Sequence, residues 1–375
     1  MIFHSTVSIA VRLGEQARLS ITQPLSALVS SNSEAYLAKT GLRKLGWRQL
    51  RRAVYFRISG QEKYCHLHIL PAWKRGLWLY KGIPQIGDAL MDLAPRSLLA
   101  YHGLSVDLYT DEHIASMFTG DPWFDKVICR PEVVRPENYD FVIVPSFKRR
   151  SLKEKISLLT KTPWISVHGF YTGPEFHRSE FAARRLSDAL SDQLSSDDFF
   201  RHSRQKLRAL PHGGERSGAM IKIALVLGGV DPLRTYTRWL EVAHELGAHN
   251  AVEITLLGSA NGAHTARSFE QSWRGTLHNR VGKTTLLECR QIIEGQDAVI
   301  ACDGGMMHLA VTTTTELISL FSQSVEPGWR LPPDKIATAL QSTQGGVDAI
   351  EPGEIVKRLM CIRRTRETKA GLAFL

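Results

Sequence analysis

Asp303-Gly304-Gly305 closes the apolar run "AVIACD" and leads straight into "GMMHLAV", which carries His308. Glycines let backbone approach a ligand and adopt angles closed to other residues. The free amides at the start of the following helix would attract a phosphate or diphosphate. The same residues also suit a plain strand-to-helix turn, with His308 packed against a neighbour. Upstream, Gly282-Lys283-Thr284 suggests a phosphate loop, but that pattern needs a glycine five residues earlier, where Leu277 stands. A P-loop NTPase is therefore disfavoured, although the loop could still present backbone groups to a planar ring or a ribose. Far from both, Asp88 in "KGIPQIGDALMDLAP" sits where a loop opens a helix. It reads either as a helix N-cap or as a general base.

These residues need elements to hold them, and the pattern supplies two sets. From Trp78, short apolar runs ("LWLY", "SVDLYT", "KVICR", "YDFVIVP", "PWISVHG") alternate with helical stretches, among them the basic "KRRSLKEKISLLTK". A polar, basic stretch from about 191 marks a hinge. The alternation then restarts with "IKIALVLGG", "AVEITLLGS", "AVIACD" and "ELISLF", each spaced by a helix. Strands alternating with helices predict parallel βαβ units and doubly wound sheets. Ligands bind beyond the carboxyl ends of such strands. That rule selects residues 81–88, 145–150, 228–235, 258–263 and 303–308. The first 75 residues pair a polar helical run with short alternating segments, "AVYFRIS" and "KYCHLHIL", that read as strands. The expected organisation is a 1–75 extension, a 76–205 domain, a 206–218 linker and a 219–375 domain ending in a basic segment.

Composition narrows the class. Three hundred and seventy-five residues suit two domains, and 43% hydrophobic with 22% charged residues is ordinary for a globular chain. No run reaches the roughly 18 apolar residues of a membrane span, and the N-terminus lacks the pattern of a secretory signal. Five scattered cysteines fit a reducing cytoplasm. Cys65-His66-Leu67-His68 has no second cluster to complete a zinc site and reads as a strand. The net charge of +10 collects at 147–155, 201–208 and 357–369. A nucleic acid, an anionic membrane face or a phosphorylated substrate would suit such patches.

The run "GKTTLLECRQIIEGQDAVIACDGGMMHLAV…ELISLF" resembles the C-terminal half of the heptosyltransferase-like glycosyltransferases, family 9. Gly282, Lys283, Thr284, a leucine at 286 or 287, Glu288, Asp303, Gly305 and His308 stand in that family's order. "GIPQIGDALMDLAP" is similar to its Gly-Asp loop and "GDPWFDKVI" to a later stretch; the resemblance covers about residues 78–335. It implies a GT-B architecture, two Rossmann-like domains facing a cleft, and an inverting transfer with Asp88 as base. Gly282, Lys283, Thr284, Asp303, Gly304, Gly305 and His308 would then bind a nucleotide-sugar donor, ADP-linked in the family. Arg234 would meet the phosphate, with Arg238 the alternative by register. No Asp-x-Asp pair is present, so no metal or other cofactor is called for.

The implied acceptor is a lipopolysaccharide core or related anionic glycan. It would be met by Lys148, Arg149 and Arg150 at the cytoplasmic membrane face, where lipid attracts basic side chains. Two features depart from the family. "GSANGAH" offers Ser259 and Asn261 where an acidic residue usually holds the ribose, and Pro84-Gln85 replace small hydroxyl residues. The alternatives are a protein O-heptosyltransferase and a non-catalytic nucleotide or nucleic-acid binder. The latter is weakened because aromatics do not interleave with the basic runs.

Overall fold

The computed structural model describes residues 8–9, 11–12, 33–169, 171, 175–210, 220–248 and 250–361. Most of the first 32 residues, positions 211–218 of the expected linker and the basic residues beyond 361 lie outside that set. The chain divides into two compact units, Met1–Arg208 and Ala209–Leu375.

The first unit begins with helices α1 (Ser33–Thr40) and α2 (Leu42–Ile58). Its strands are β1 (Arg75–Tyr80), β2 (Ser105–Thr110), β3 (Val127–Ile128), β4 (Phe141–Val144) and β5 (Trp164–Ser166). They lie in the order β3-β2-β1-β4-β5, every pair parallel. The strands of "GLWLY" and "FVIV" are buried throughout, as expected of a parallel sheet covered on both faces. Helices α3 (Ile86–Asp92), α4 (Arg96–Tyr101), α5 (Glu112–Phe118), α6 (Arg149–Leu159), α7 (Arg178–Leu190) and α8 (Ser196–Ser203) complete the unit.

Three readings are corrected here. "AVYFRIS" is no strand; it is the last turns of α2. Its alternation spans too few residues to compete with a helix already running from Leu42, and Phe56 is held edge-on by Phe147 at 4.9 Å and Trp164 at 5.9 Å. "KYCHLHIL" contributes only an isolated bridge from Cys65 to Trp164. The polar stretch after 191 is not hinge from its start, because Ser195 caps α8 by accepting from the Asp198 amide. His202 pairs with Ser97 Oγ at 2.9 Å. The buried Arg96 joins Asp121 (2.9 and 2.6 Å) to the Lys206 carbonyl (2.7 Å). Polar residues fold inward when each finds a partner.

The second unit contains β6 (Ile221–Val226), α9 (Trp239–Gly247), β7 (Val252–Leu257), α10 (Ala263–Ser272), β8 (Thr276–Asn279) and α11 (Leu286–Glu294). It continues through β9 (Ala298–Cys302), α12 (Gly305–Val311), β10 (Glu316–Phe321), α13 (Pro333–Ile336) and β11 (Leu340–Gln341). The sheet order β8-β7-β6-β9-β10-β11 is the doubly wound dinucleotide-binding order, whose switch point lies between β6 and β9. The short edge strands β8 and β11 escape a reading by apolar pattern, since "TLHN" is half exposed. Among the described residues, no helix is long and apolar enough to cross a membrane.

Candidate functional site

In the second unit the register Leu225↔Ile300 sets the loop after β6 beside the loop after β9. Asp303, buried at the end of β9, therefore meets Arg234 from the first loop: Nη1 lies 3.3 Å from Oδ2. A second arginine arrives from the loop after β10, with Arg330 Nε 3.5 Å from Asp303 Oδ1. Asp231, one turn before Arg234, sits 3.6 Å from its Nε. The Arg234 side chain stays about one-third exposed, whereas Arg330 is nearly covered, at 35% and 10%. Asp303 thus orients one arginine that is open to a ligand and one that braces it. Arg238 is held elsewhere, by Glu241 and Glu351 at 2.9 Å each. Behind Asp303, burial pushes the Cys302 thiol up to about 12, so it stays protonated.

The glycine expectation needs correction. Gly304 is fully extended (φ 176), and a Cβ there would meet only the Cys302 carbonyl at 3.7 Å. No unusual angle is required; the glycine leaves room instead. The special angles fall on neighbouring loops: Gly228 (φ 84), Gly258 (φ 145) and Gly282 (φ 68). A Cβ on Gly258 would stand 2.3 Å from the Leu227 carbonyl, so only glycine lets the loops after β6 and β7 touch. The Gly282 amide donates to the Gly258 carbonyl at 2.9 Å, adding the loop after β8. Gly282, Lys283 and Thr284 thereby join the ledge of loops at the carboxyl edge of the sheet. Lys283 Nζ reaches its own turn at the Asn279 carbonyl, and Thr284 Oγ1 lies 3.0 Å from Cys289 Sγ. Asn261 bonds the Gly229 carbonyl and Ser259, so both polar groups at the expected ribose position also hold the ledge. Glu288 forms a capping box with Thr285, which accounts for its type by helix initiation alone. His308 is buried on α12, a helix of only seven residues.

In the first unit, Asp88 occupies the first turn of α3, whose N-cap is Gln85. The N-cap reading of Asp88 is therefore wrong, and its carboxylate is about one-third exposed, 3.6 Å from Arg178 Nη1. One turn further, Asp92 is buried beneath it. Asp92 takes Arg178 Nε at 2.9 Å and a shorter contact from Nη2, His168 Nε2 at 2.9 Å and the Tyr80 hydroxyl at 3.1 Å. Burial alone would raise the Asp92 carboxyl. Arg178 and His168 outweigh it and hold the group ionised, well below the usual carboxylate range. The loop before α3 is tied to β2: the Gly82 amide donates to Asp111 Oδ2 at 2.7 Å, and Lys81 Nζ lies 3.1 Å from Oδ1. Lys148 is the N-cap of α6, with Arg149 and Arg150 next, at the end of β4 beside the Asp88 loop.

Sequence reasoning missed Arg330, Arg178, Asp92 and His168. Two carried a faint signal: Arg330 as a lone arginine beyond a strand end, and Asp92 as a carboxylate four residues after Asp88 on an otherwise apolar helix face.

Two parallel doubly wound units of this kind define the GT-B class. Solved structures sharing the fold include a glycosyl transferase family 9 protein from Veillonella parvula DSM 2008 (15% identity, 79% of this chain, 99% of that one, TM-score 0.64). The E. coli ADP-heptose lps heptosyltransferase II is similar too (15%, 78% and 99%, TM-score 0.57), as is E. coli heptosyltransferase WaaC with ADP (16%, 76% and 98%, TM-score 0.58). Residues 234–348 match the family described as glycosyltransferase family 9 (heptosyltransferase). Residues 234–348 of the second unit are accordingly similar to this heptosyltransferase family, on a fold that the chain shares with those structures. No curated protein sequence matches the chain.

Proposed function

We propose that the chain is an inverting, metal-independent transferase that moves a heptose or similar sugar from an ADP-linked donor to a lipopolysaccharide core or related anionic glycan. The pairing of Arg234 and Arg330 on Asp303 at the switch point carries this reading. A diphosphate leaving group gains negative charge as its bond to the sugar breaks, and a pre-oriented guanidinium stabilises that charge without reorganising. The donor would lie on the ledge of Asp303, Gly304 and Gly305, with Gly282, Lys283 and Thr284 around the nucleoside. The ADP link is supported by the similarity in fold to a heptosyltransferase solved with ADP.

Asp88 would serve as base, for which a partly exposed carboxylate beside a guanidinium is suited. It takes the proton of the acceptor hydroxyl as that oxygen attacks the anomeric carbon on the face opposite the diphosphate. The new C–O bond forms as the old one breaks, and ADP departs with both electrons of the broken bond. His308, being buried, would support the loop rather than touch the sugar. Such chemistry suits the cytoplasmic face of a membrane, where donor and glycolipid meet.

The test is a transfer assay with ADP-heptose and a heptose-free core glycolipid. The reading expects anomerically inverted product and ADP from the wild-type chain, and none from Asp88→Asn at unchanged ADP affinity. Equal turnover by Asp88→Asn removes that residue from the mechanism, and retained stereochemistry overturns the inverting step.

A further inference from the structure

We infer that the N-terminal helix α2 is a working part of the acceptor side, and that Arg52 joins Lys148, Arg150 and Arg178 in binding a phosphate or carboxylate group on the acceptor. The inference rests on the reading of Asp88 as base and adds an element that reading does not use.

Helix α2 lies on the carboxyl-edge loops of the first sheet. Phe56 packs on Phe147 of the loop after β4, and Tyr55 lies under the Arg149 guanidinium at 5.6 Å. This seating brings Arg52 to the loop after β5, where Nη1 donates to the Tyr171 carbonyl at 3.1 Å. On the neighbouring loop, Arg150 Cδ would stand 3.3 Å from a Cβ on Gly82, so its stem crosses the start of the Asp88 loop. Arg178 is fixed between Asp88 and Asp92. Four cations from three segments therefore converge beside Asp88, while Arg149 is turned onto Tyr55.

The start of α6 gains no helix stability from its cations. Helix α6 opens with Lys148, Arg149 and Arg150 and has no acidic residue in its first turn. Cations at a helix N-terminus oppose the dipole, which favours anions there. Burial, and then the Arg52, Arg178 and Arg150 charges, pull the Lys148 ammonium below its usual value. Like charges held this close are relieved by a bound anion. Planar guanidinium groups arriving from separate elements suit the several oxygens of phosphate or carboxylate.

The experiment uses the full chain, with glucose 1-phosphate, glucuronate and glucose as probes in titration calorimetry and ADP as the control for the donor side. Wild type is expected to bind glucose 1-phosphate, glucuronate or both, but not glucose. Arg52→Gln should weaken the charged probes at least fivefold without changing ADP affinity, while Arg52→Lys keeps most of the affinity. Preference between the two charged probes tells phosphate from carboxylate. Charged-probe binding equal in Arg52→Gln and wild type overturns the inference, as does no charged-probe binding by wild type or loss in Arg52→Lys equal to that in Arg52→Gln. Loss of ADP binding by wild type instead strikes the donor reading, and the charged-probe arm still decides the role of Arg52.

Discussion

Arg234 reaches across the switch point of the second sheet to Asp303, 3.3 Å from Nη1 to Oδ2, and so joins the loop after β6 to the loop after β9. The contact gives the buried carboxylate a task that a plain strand-to-helix turn would not need. It holds a cation at the place where strand order reverses and ligands bind.

Removing the second arginine should show how far the first depends on it. Arg330→Gln is expected to weaken ADP binding about tenfold, the scale of one charge-assisted hydrogen bond. Asp303→Asn should weaken it at least as much, through both arginines. Calorimetric titration with ADP checks both, and Arg238→Gln, whose parent side chain is held by two glutamates, should leave ADP affinity unchanged.

The two glycine classes of the ledge should separate fold from function. Gly258→Ala forces a Cβ against the Leu227 carbonyl at φ 145 and should cost about 3 kcal/mol of stability. Gly304→Ala meets nothing closer than 3.7 Å and should unfold at the wild-type denaturant midpoint while losing ADP affinity. Urea melts and titrations on both variants suffice; a destabilised Gly304→Ala contradicts the extended geometry.

Asp92 anchors Arg178 from below, and Asp92→Asn should destabilise the fold by about 3 kcal/mol because the buried carboxylate's charge, which holds both Arg178 and His168, is lost. Its folded carboxyl titrates below its unfolded value of about 3.9. The stability it confers is present above that pH and is lost as pH falls through the acid range. Melts from pH 6 to pH 3 should therefore narrow the gap between wild type and variant.

Lys155, fully buried on α6, donates to Gln61 Oε1 at 2.6 Å and the Thr160 carbonyl at 3.0 Å, and so fastens the segment after α2. Burial lowers its ammonium to about 7. Between that value and about 10.4 the unfolded chain binds the extra proton, so stability gains from rising pH across this window. Thermal melts should show wild type gaining on Lys155→Met from pH 7 to pH 9; a constant difference denies the shift.

How much was legible follows from where the information lies. The strand-helix alternation and the Asp303 to His308 loop are local patterns, and both units and the ledge followed from them. Arg330 reaches Asp303 only because β10 packs on β9, and Arg178 reaches Asp92 only through the seating of α7. No spacing along the chain carries those pairings. Residues 53–58 misled because a few alternating side chains mimic a strand when the helix behind them is ignored. The special glycines were sought at Gly304 and found at Gly228, Gly258 and Gly282, since loop-to-loop approach is invisible in one dimension.

The measurement that bears most directly on the central claim is a crystal structure of the full chain soaked with ADP-heptose. The account predicts the diphosphate within hydrogen-bonding reach of Arg234, over Asp303 and the Gly304-Gly305 amides, with the nucleoside toward Gly282. A donor seated away from that ledge, with Arg234 turned from the phosphates, would contradict it.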